Sequence, residues 1–262
     1  MSFIAKYGSV LFSLAGILCF VALGHFKVGK YPEPLPQAEN KKREIIEVLG
    51  IWGINFTGMW LFWWLAMSPD KDIPSFRISS EISIHFYSLL VLATTIGVEV
   101  LWRKRDAKEL GLKGISERWF HPTMMGLVLV GIWSAVALTT GTSQEYSYQY
   151  FIYFLFTPAF LEEWESRSVY QTKMERVFGV KKAWIFAGIL FGLLHIPTDF
   201  YGAQWISVGE DIGFALLNLF QQISLGWIFG LIFTKTRSIW PAVIIHYLYD
   251  FLPNLIVSLG IM

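Results

Sequence analysis

Long apolar stretches separated by short polar loops run along the chain. About 20 mostly apolar residues cross a bilayer as an α-helix. The pattern therefore predicts an all-α membrane protein with about eight transmembrane helices. The predicted spans are residues 8–26, 45–67, 82–102, 122–142, 148–170, 183–200, 212–234 and 239–260. The loops are too short for a soluble domain, so we expect residues 1–262 to form a single polytopic membrane domain with any chemistry inside the helix bundle.

Composition supports this interpretation and excludes several classes of protein. Hydrophobic residues make up 54% of the chain and charged residues only 16%, whereas soluble domains carry about a quarter charged residues. The net charge of +1 provides no basic field for nucleic acid. Cys19 is the only cysteine, so an internal disulfide and a cysteine-rich metal site are both excluded.

The loops alternate in positive charge. Lysine and arginine are concentrated in the first, third, fifth and seventh loops, whereas the fourth and sixth contain none. Positive loops face the cytoplasm, which predicts that both termini lie outside the cell membrane. A cleaved signal peptide over residues 1–24 is the alternative, but it would place the basic first loop outside, so we favour an uncleaved first span.

The fifth span contains the sequence Glu162-Glu163-Trp164-Glu165-Ser166-Arg167. A charge near the middle of a span costs about 2.5–3.5 kcal/mol, so such residues pair or face the bundle interior. Glu163 and Arg167 are four residues apart and can form an ion pair on one helix face. Glu162 is rotated about 100° from Glu163, which leaves it free to point into a cavity. The alternative is a helix end whose charged side chains reach the headgroups, and Glu165 is expected to do so.

Two histidines lie in later spans. His195 is followed by Pro197, which removes a backbone donor, and a broken helix at membrane depth is tolerated where it lines a cavity. His246 and Asp250 are four residues apart, so the acid can hydrogen-bond the histidine and fix its tautomer. The alternatives are a structural histidine in the sixth span and a polar pair that joins helices in the eighth.

Other polar residues in the spans are interpreted as structural. Asn218 and Gln222 share a helix face and, with Gln221, are expected to hydrogen-bond between helices. Contact with a substrate is the alternative for these amides. Glu99 adjoins Arg103 and is expected to form an interfacial pair with it.

One carboxylate and two histidines from three helices suit the activation of water. The acid takes a proton while a histidine orients the water or stabilises developing negative charge. The same groups could bind a divalent metal. The His-Glu-x-x-His and Gly-x-Ser-x-Gly signatures are missing from the sequence, so the usual zinc-protease and serine-hydrolase motifs give no support.

The order Glu162-Glu163-x-x-x-Arg167, Phe191-x-x-x-His195 and His246-x-x-x-Asp250 resembles the CPBP intramembrane protease family, which includes CAAX prenyl endopeptidases of the Ras-converting type. The resemblance implies an intramembrane cavity open to the cytoplasm and the membrane, with a catalytic core at about residues 148–260. Glu162 would activate water beside His195. Glu163 and Arg167 would be the supporting pair, and His246 and Asp250 would line an oxyanion site.

This resemblance predicts an intramembrane glutamate- or metallo-endopeptidase that cleaves near the C-terminus of membrane-anchored peptides, such as prenylated CAAX peptides. A divalent metal such as Zn is optional; if present, its ligands would be Glu162, His195 and His246. CAAX-cleaving members usually have Asn where this chain has Asp250. An aspartate at this position would either orient His246, ligate a metal or be protonated. A non-catalytic scaffold or immunity-type binding protein of the same fold is the alternative. A proton-coupled transporter is the functional hypothesis that we rank last.

Overall fold

The computed structural model describes residues 3–68, 74–77, 83–112, 118–141, 143, 145–201 and 212–261. Parts of the second, third, fourth and sixth predicted loops lie outside these residues. The elements are α1 Phe3–Phe26, α2 Lys41–Ala66, β1 Ser75–Arg77, β2 Ser83–His85, α3 Phe86–Trp102, α4 Phe120–Thr140, α5 (residues 148–178), α6 Ala183–Leu194, α7 Ile196–Tyr201, α8 Ile212–Thr236 and α9 Ile239–Ser258.

Each predicted span overlaps one or two helices, and the chain is an all-α integral membrane protein. Among the described residues, three helices are long and apolar enough to cross a bilayer, namely Lys41–Ala66, Phe120–Thr140 and Ala215–Thr236. Shorter apolar helices cover Leu11–Phe26, Phe86–Trp102 and Ala183–Asp199. By length and composition, the structure therefore supports a helical membrane protein without establishing eight spans.

One short hairpin interrupts the helical pattern. The third span was predicted to begin at residue 82, but β2 is extended and pairs antiparallel with β1, with Ser75 opposite His85. The helix begins at Phe86, whose amide donates to the Pro74 carbonyl at 2.9 Å. Pairing of the two strands satisfies the backbone groups immediately before the helix.

The helix α5 is continuous but contains two π-helical segments. Residues Leu155–Phe160 and Trp164–Gln171 are π-helical, and the turn Leu161–Glu163 between them is α-helical. Pro158 lies in the first π segment and has no amide hydrogen to donate to the preceding turn, which explains a local loss of α-helical bonding. π-Helical turns occur frequently at functional sites, and Glu162 lies between the two.

Glycines allow α6 and α8 to pack backbone against backbone. A Cβ on Gly188 would lie 2.9 Å from the Trp227 amide nitrogen, and one on Gly192 would lie 2.7 Å from the Ile223 nitrogen. Gly226 on α8 makes the reciprocal contact with Gly188. Close approach through small residues is a common way for membrane helices to associate. The packing fixes the end of α6, where His195 lies.

The helix ends next to the basic loops meet at one end of the bundle, which we call the basic end. There Lys235, in the last turn of α8, donates to the Gly29 carbonyl at 2.9 Å, just after α1. Arg237, between α8 and α9, pairs with Glu175 of α5 at 2.6 Å. These contacts join the ends of α1, α5, α8 and α9.

Buried ion pairs connect the remaining helices at the basic end. Lys173 of α5 is completely buried and lies 2.5 Å from Glu47, 2.8 Å from Glu99 and 3.1 Å from Glu44. The predicted pair between Glu99 and Arg103 is wrong. Glu99 instead pairs with Arg105 at 2.9 Å, and Arg103 pairs with Glu44 at 2.7 Å. The chain turns back after α3, which brings Arg105 rather than the adjacent Arg103 to Glu99.

Candidate active site

The predicted ion pair between Glu163 and Arg167 is present. The Arg167 Nε donates to Glu163 Oε2 at 2.8 Å, and both side chains are completely buried. The second oxygen, Glu163 Oε1, lies 3.0 Å from His246 Nδ1 on α9. The sequence spacing indicated only the first contact, because the second joins residues that are 83 positions apart.

Glu162 points away from this pair. Its Oε2 atom lies 3.7 Å from His195 Nε2 and 3.8 Å from His246 Nε2. The side chain is 28% exposed, whereas that of Glu163 is 0% exposed. The structure therefore places the two adjacent carboxylates as the helical rotation predicts, with one in a cavity and one in the packed interior.

His195 lies between α6 and α7, at the predicted break in the sixth span. Its Nδ1 atom is 2.9 Å from the Phe191 carbonyl oxygen, and a carbonyl only accepts, so Nδ1 carries the hydrogen. The Nε2 atom is then the one that faces Glu162. The Phe191 ring contacts the imidazole with ring centroids 4.7 Å apart. These contacts fix both the tautomer and the direction of the ring.

His246 is held between two carboxylates. Its Nδ1 faces Glu163, and its Nε2 lies 3.2 Å from Asp250 Oδ2. The ring also stacks on Phe229, with centroids 4.7 Å apart and an angle of 19° between the planes. Of the predicted roles for Asp250, orientation of His246 is the one that this contact supports.

Two cavities meet at Glu162 and His195. The larger has a volume of about 300 Å³ and contains the polar groups of the site. Its lining residues are Trp133, Glu162, Phe191, His195, Gln221, Gln222, Leu225, Phe229, His246, Tyr249 and Asp250. The smaller, of about 160 Å³, extends toward Met59, Tyr87 and Thr198. The Glu162 side chain therefore lines both cavities.

The three amides of α8 have different positions. Asn218 donates to Asp199 on α7 at 2.8 Å, which confirms an interhelical hydrogen bond for this residue. Gln221 and Gln222 line the larger cavity. Sequence reasoning favoured a structural role over substrate contact for all three, because helix periodicity alone does not show which face meets a cavity.

Glu165 was expected to reach the headgroups, and this prediction is wrong. The side chain is buried, and its Oε1 accepts from Asn55 Nδ2 at 2.7 Å and from the Tyr170 hydroxyl. Asn55 lies on α2, and its Oδ1 also accepts from Thr94 on α3. Donors from α2 and α5 therefore hold this carboxylate in the interior, and Thr94 of α3 in turn positions Asn55.

The optional metal does not fit the donor groups as the structure arranges them. Among the described residues, no group of three or more His, Cys, Asp or Glu side chains is arranged to hold a metal ion. Both ring nitrogens of His246 face carboxylates, so this ring has no nitrogen directed at a shared ion. No step of the reaction is therefore assigned to a metal.

The fold and the site define an integral membrane protein with a carboxylate and two histidines around a polar intramembrane cavity. Residues 144–252 match the family described as Type II CAAX prenyl endopeptidase Rce1-like. This match confirms the resemblance predicted from the motifs and covers all of them. The chain has no significant match among curated proteins or among solved structures. At the family level, the matched segment is similar to an intramembrane protease of the CAAX type.

Proposed function

We propose that this protein is an intramembrane endopeptidase that cleaves membrane-anchored peptides near their C-terminus. The observation that carries the proposal is the position of Glu162 Oε2, less than 4 Å from the Nε2 atoms of His195 and His246 at a cavity. Gaps of 3.7 and 3.8 Å are too long for direct hydrogen bonds and suit a bridging water.

In the proposed reaction, Glu162 removes a proton from this water. The His195 Nε2 atom, which faces the carboxylate, orients the water toward the peptide carbonyl. The new C–O bond produces a tetrahedral oxyanion, and the positive charge of His246, which lines the cavity, is placed to stabilise it. Glu162 then transfers its proton to the leaving amine as the C–N bond breaks. General acid–base catalysis of this kind contributes about 10²–10⁴-fold.

Asp250 and Glu163 support the reaction by holding His246. Carboxylates only accept hydrogen bonds, so a ring that bonds both acids donates from both nitrogens and carries a positive charge. Arg167 in turn compensates Glu163. The site therefore places positive charge where negative charge develops, and the charged His246 ring lies 3.8 Å from Glu162.

The family match supports a prenylated CAAX peptide as the most concrete candidate substrate. The same proposal includes an eight-span topology. It is supported by α1 to α9, which overlap the eight predicted spans when α6 and α7 are counted as one span.

The test is cleavage of a prenylated, fluorescently quenched reporter peptide by the purified protein in detergent. Glu162→Gln and His195→Ala are expected to reduce turnover by at least about 10²-fold. Glu39→Gln is the matched control, because Glu39 is an exposed carboxylate in the connector before α2. Turnover at the control level in both site variants would reject the site assignment.

A further inference from the structure

Glu165 is a buried carboxylate that the proposed reaction does not use. Its side chain belongs to a residue that is 2% exposed, in the second π-helical segment of α5. Its Oε1 accepts from Asn55 and from Tyr170, and both of these donors are neutral. In the part of the chain that the structure describes, no lysine, arginine or histidine pairs with it. An ionised carboxylate at membrane depth is costly unless a cation accompanies it.

The other buried glutamates that the structure describes all have such a cation. Each of them pairs with a lysine or an arginine at a distance between 2.5 and 2.8 Å; they are Glu44, Glu47, Glu99, Glu163 and Glu175. Buried charges are ordinarily paired in this way, because the desolvation of an isolated charge is expensive. Glu165 is therefore the exception among the described glutamates, and a cation supplied by a ligand would make its environment like that of the others.

The smaller cavity gives a ligand access to this carboxylate. Glu165 and Ser166 both line it, together with Tyr87 of α3 and Thr198 of α7. Ser166 is 0% exposed, and its Oγ has no hydrogen-bond partner among the described residues. A buried hydroxyl without a partner costs free energy, and a ligand that hydrogen-bonds to it recovers that cost. The cavity therefore combines a carboxylate that lacks a cation with a hydroxyl that lacks a partner.

The size and the apolar lining of this cavity suit an amino-acid side chain better than a bare ion. Its volume is about 160 Å³, several times the ~30 Å³ that one water molecule occupies in the liquid. Met59, Phe191 and Leu194 supply apolar surface beside the polar groups. A lysine or arginine side chain has an apolar stem and a cationic head, and the head donates several hydrogen bonds but accepts none. The head therefore matches Glu165 and Ser166, and the stem matches the apolar wall.

We infer that the smaller cavity binds a lysine or arginine side chain of the substrate, with the Glu165 carboxylate as its counter-ion. The inference rests on the proposed peptidase function and adds a preference at one position of the substrate. Because Glu162 lines this cavity as well, the basic side chain belongs to a residue next to the bond that is cleaved. In a prenylated peptide the lipid-bearing cysteine has no basic side chain, so the basic residue is the one that follows this cysteine.

Equilibrium binding to the purified protein in detergent tests this preference without turnover. The probes are fluorescent prenylated peptides that carry a ketomethylene group in place of the scissile amide. They differ only after the cysteine, where one has lysine and the other its uncharged analogue norleucine. We expect a Kd at least about tenfold lower for the lysine peptide, since a hydrogen bond to a charged group is worth that much. Glu165→Gln keeps an oxygen for Asn55 and Tyr170 but removes the charge, so the two Kd values should become similar. Glu39→Gln, at an exposed carboxylate, is the matched control and should keep the wild-type ratio.

Equal affinity of the wild-type protein for the two peptides would overturn the inference, because a protonated and neutral Glu165 has no preference for a cation. A lysine preference that survives Glu165→Gln would overturn the assignment of this carboxylate. If thermal unfolding shows that Glu165→Gln does not fold, Ser166→Ala is the second variant. It should reduce the lysine preference, and an unchanged ratio would contradict the site.

Cleavage of the corresponding amide reporters separates this inference from the proposed function. If both reporters are cleaved while the two Kd values are equal, the protease activity stands and the basic subsite is rejected. If the lysine peptide binds more tightly but neither reporter is cleaved, the protease activity is rejected and the binding site for a basic side chain stands. The expected result is cleavage of both reporters, with a lower KM for the lysine reporter.

Discussion

Glu163 holds two partners at once: its Oε2 accepts from Arg167 at 2.8 Å, and its Oε1 lies 3.0 Å from His246 Nδ1. The carboxylate therefore links the charged helix α5 to the histidine of α9. All three side chains are almost completely buried. A buried charge that loses its partner is strongly destabilising, whereas removal of both partners is often tolerated. The two contacts give this residue a structural role and a role in positioning His246.

Glu163→Gln is expected to lower the stability of the folded protein, because Arg167 would keep a buried charge without compensation. Breaking a buried pair costs about 3–5 kcal/mol. The double variant Glu163→Gln/Arg167→Met should recover part of that loss while turnover stays low, since His246 would still lack its carboxylate. Thermal unfolding in detergent, measured beside reporter cleavage, separates the two effects. Equal stability of the single and double variants would contradict the buried-charge argument.

Asp250→Asn is expected to retain most of the activity, and Asp250→Ala to lose it. The amide oxygen of Asn can still accept from His246 Nε2, which Asp250 contacts at 3.2 Å, whereas Ala leaves the ring without this support. Misplacement of a reacting group by about 1 Å can cost 10²-fold. The effect should appear in kcat rather than KM. Equal losses in both variants would show that the negative charge itself is required.

Gly192→Ala is expected to separate α6 from α8 and displace His195, because its Cβ would lie 2.7 Å from the Ile223 backbone nitrogen. Overpacking of this kind costs about 1–3 kcal/mol. Gly131→Ala on α4 is the matched control, since no atom lies within 4 Å of its Cβ position. Unfolding temperature and turnover should both fall for Gly192→Ala only. A similar result for the two variants would reject close packing as the reason for glycine at residue 192.

Local spacing made much of the site predictable. The pair Glu163–Arg167 and the contact His246–Asp250 each join residues four apart on one helix, and the structure contains both. Helical rotation likewise separated Glu162 from Glu163. These predictions needed only the pitch of an α-helix.

Contacts between distant segments were not predictable in the same way. Asn55 and Glu165 are 110 positions apart, and no periodicity in either helix indicates that they meet. Glu99 was paired with its nearest arginine, but the turn after α3 brings Arg105 to it. Sequence patterns locate buried charges without identifying their partners, because the arrangement of helices in the bundle decides the pairing.

Removal of divalent metal is expected to leave turnover unchanged. In the proposed reaction Glu162 activates water directly, and His246 uses both ring nitrogens to contact Glu163 and Asp250, so it offers no lone pair to an ion. Reporter cleavage should therefore be equal before and after dialysis against EDTA, with a known zinc peptidase as the positive control for chelation. If EDTA abolished turnover and added zinc restored it, direct activation of water by Glu162 would be contradicted. Glu162, His195 and His246 would then be assigned as zinc ligands. In that case His246 would have to turn away from one carboxylate, and Asp250→Ala would raise the affinity for zinc rather than only lower kcat.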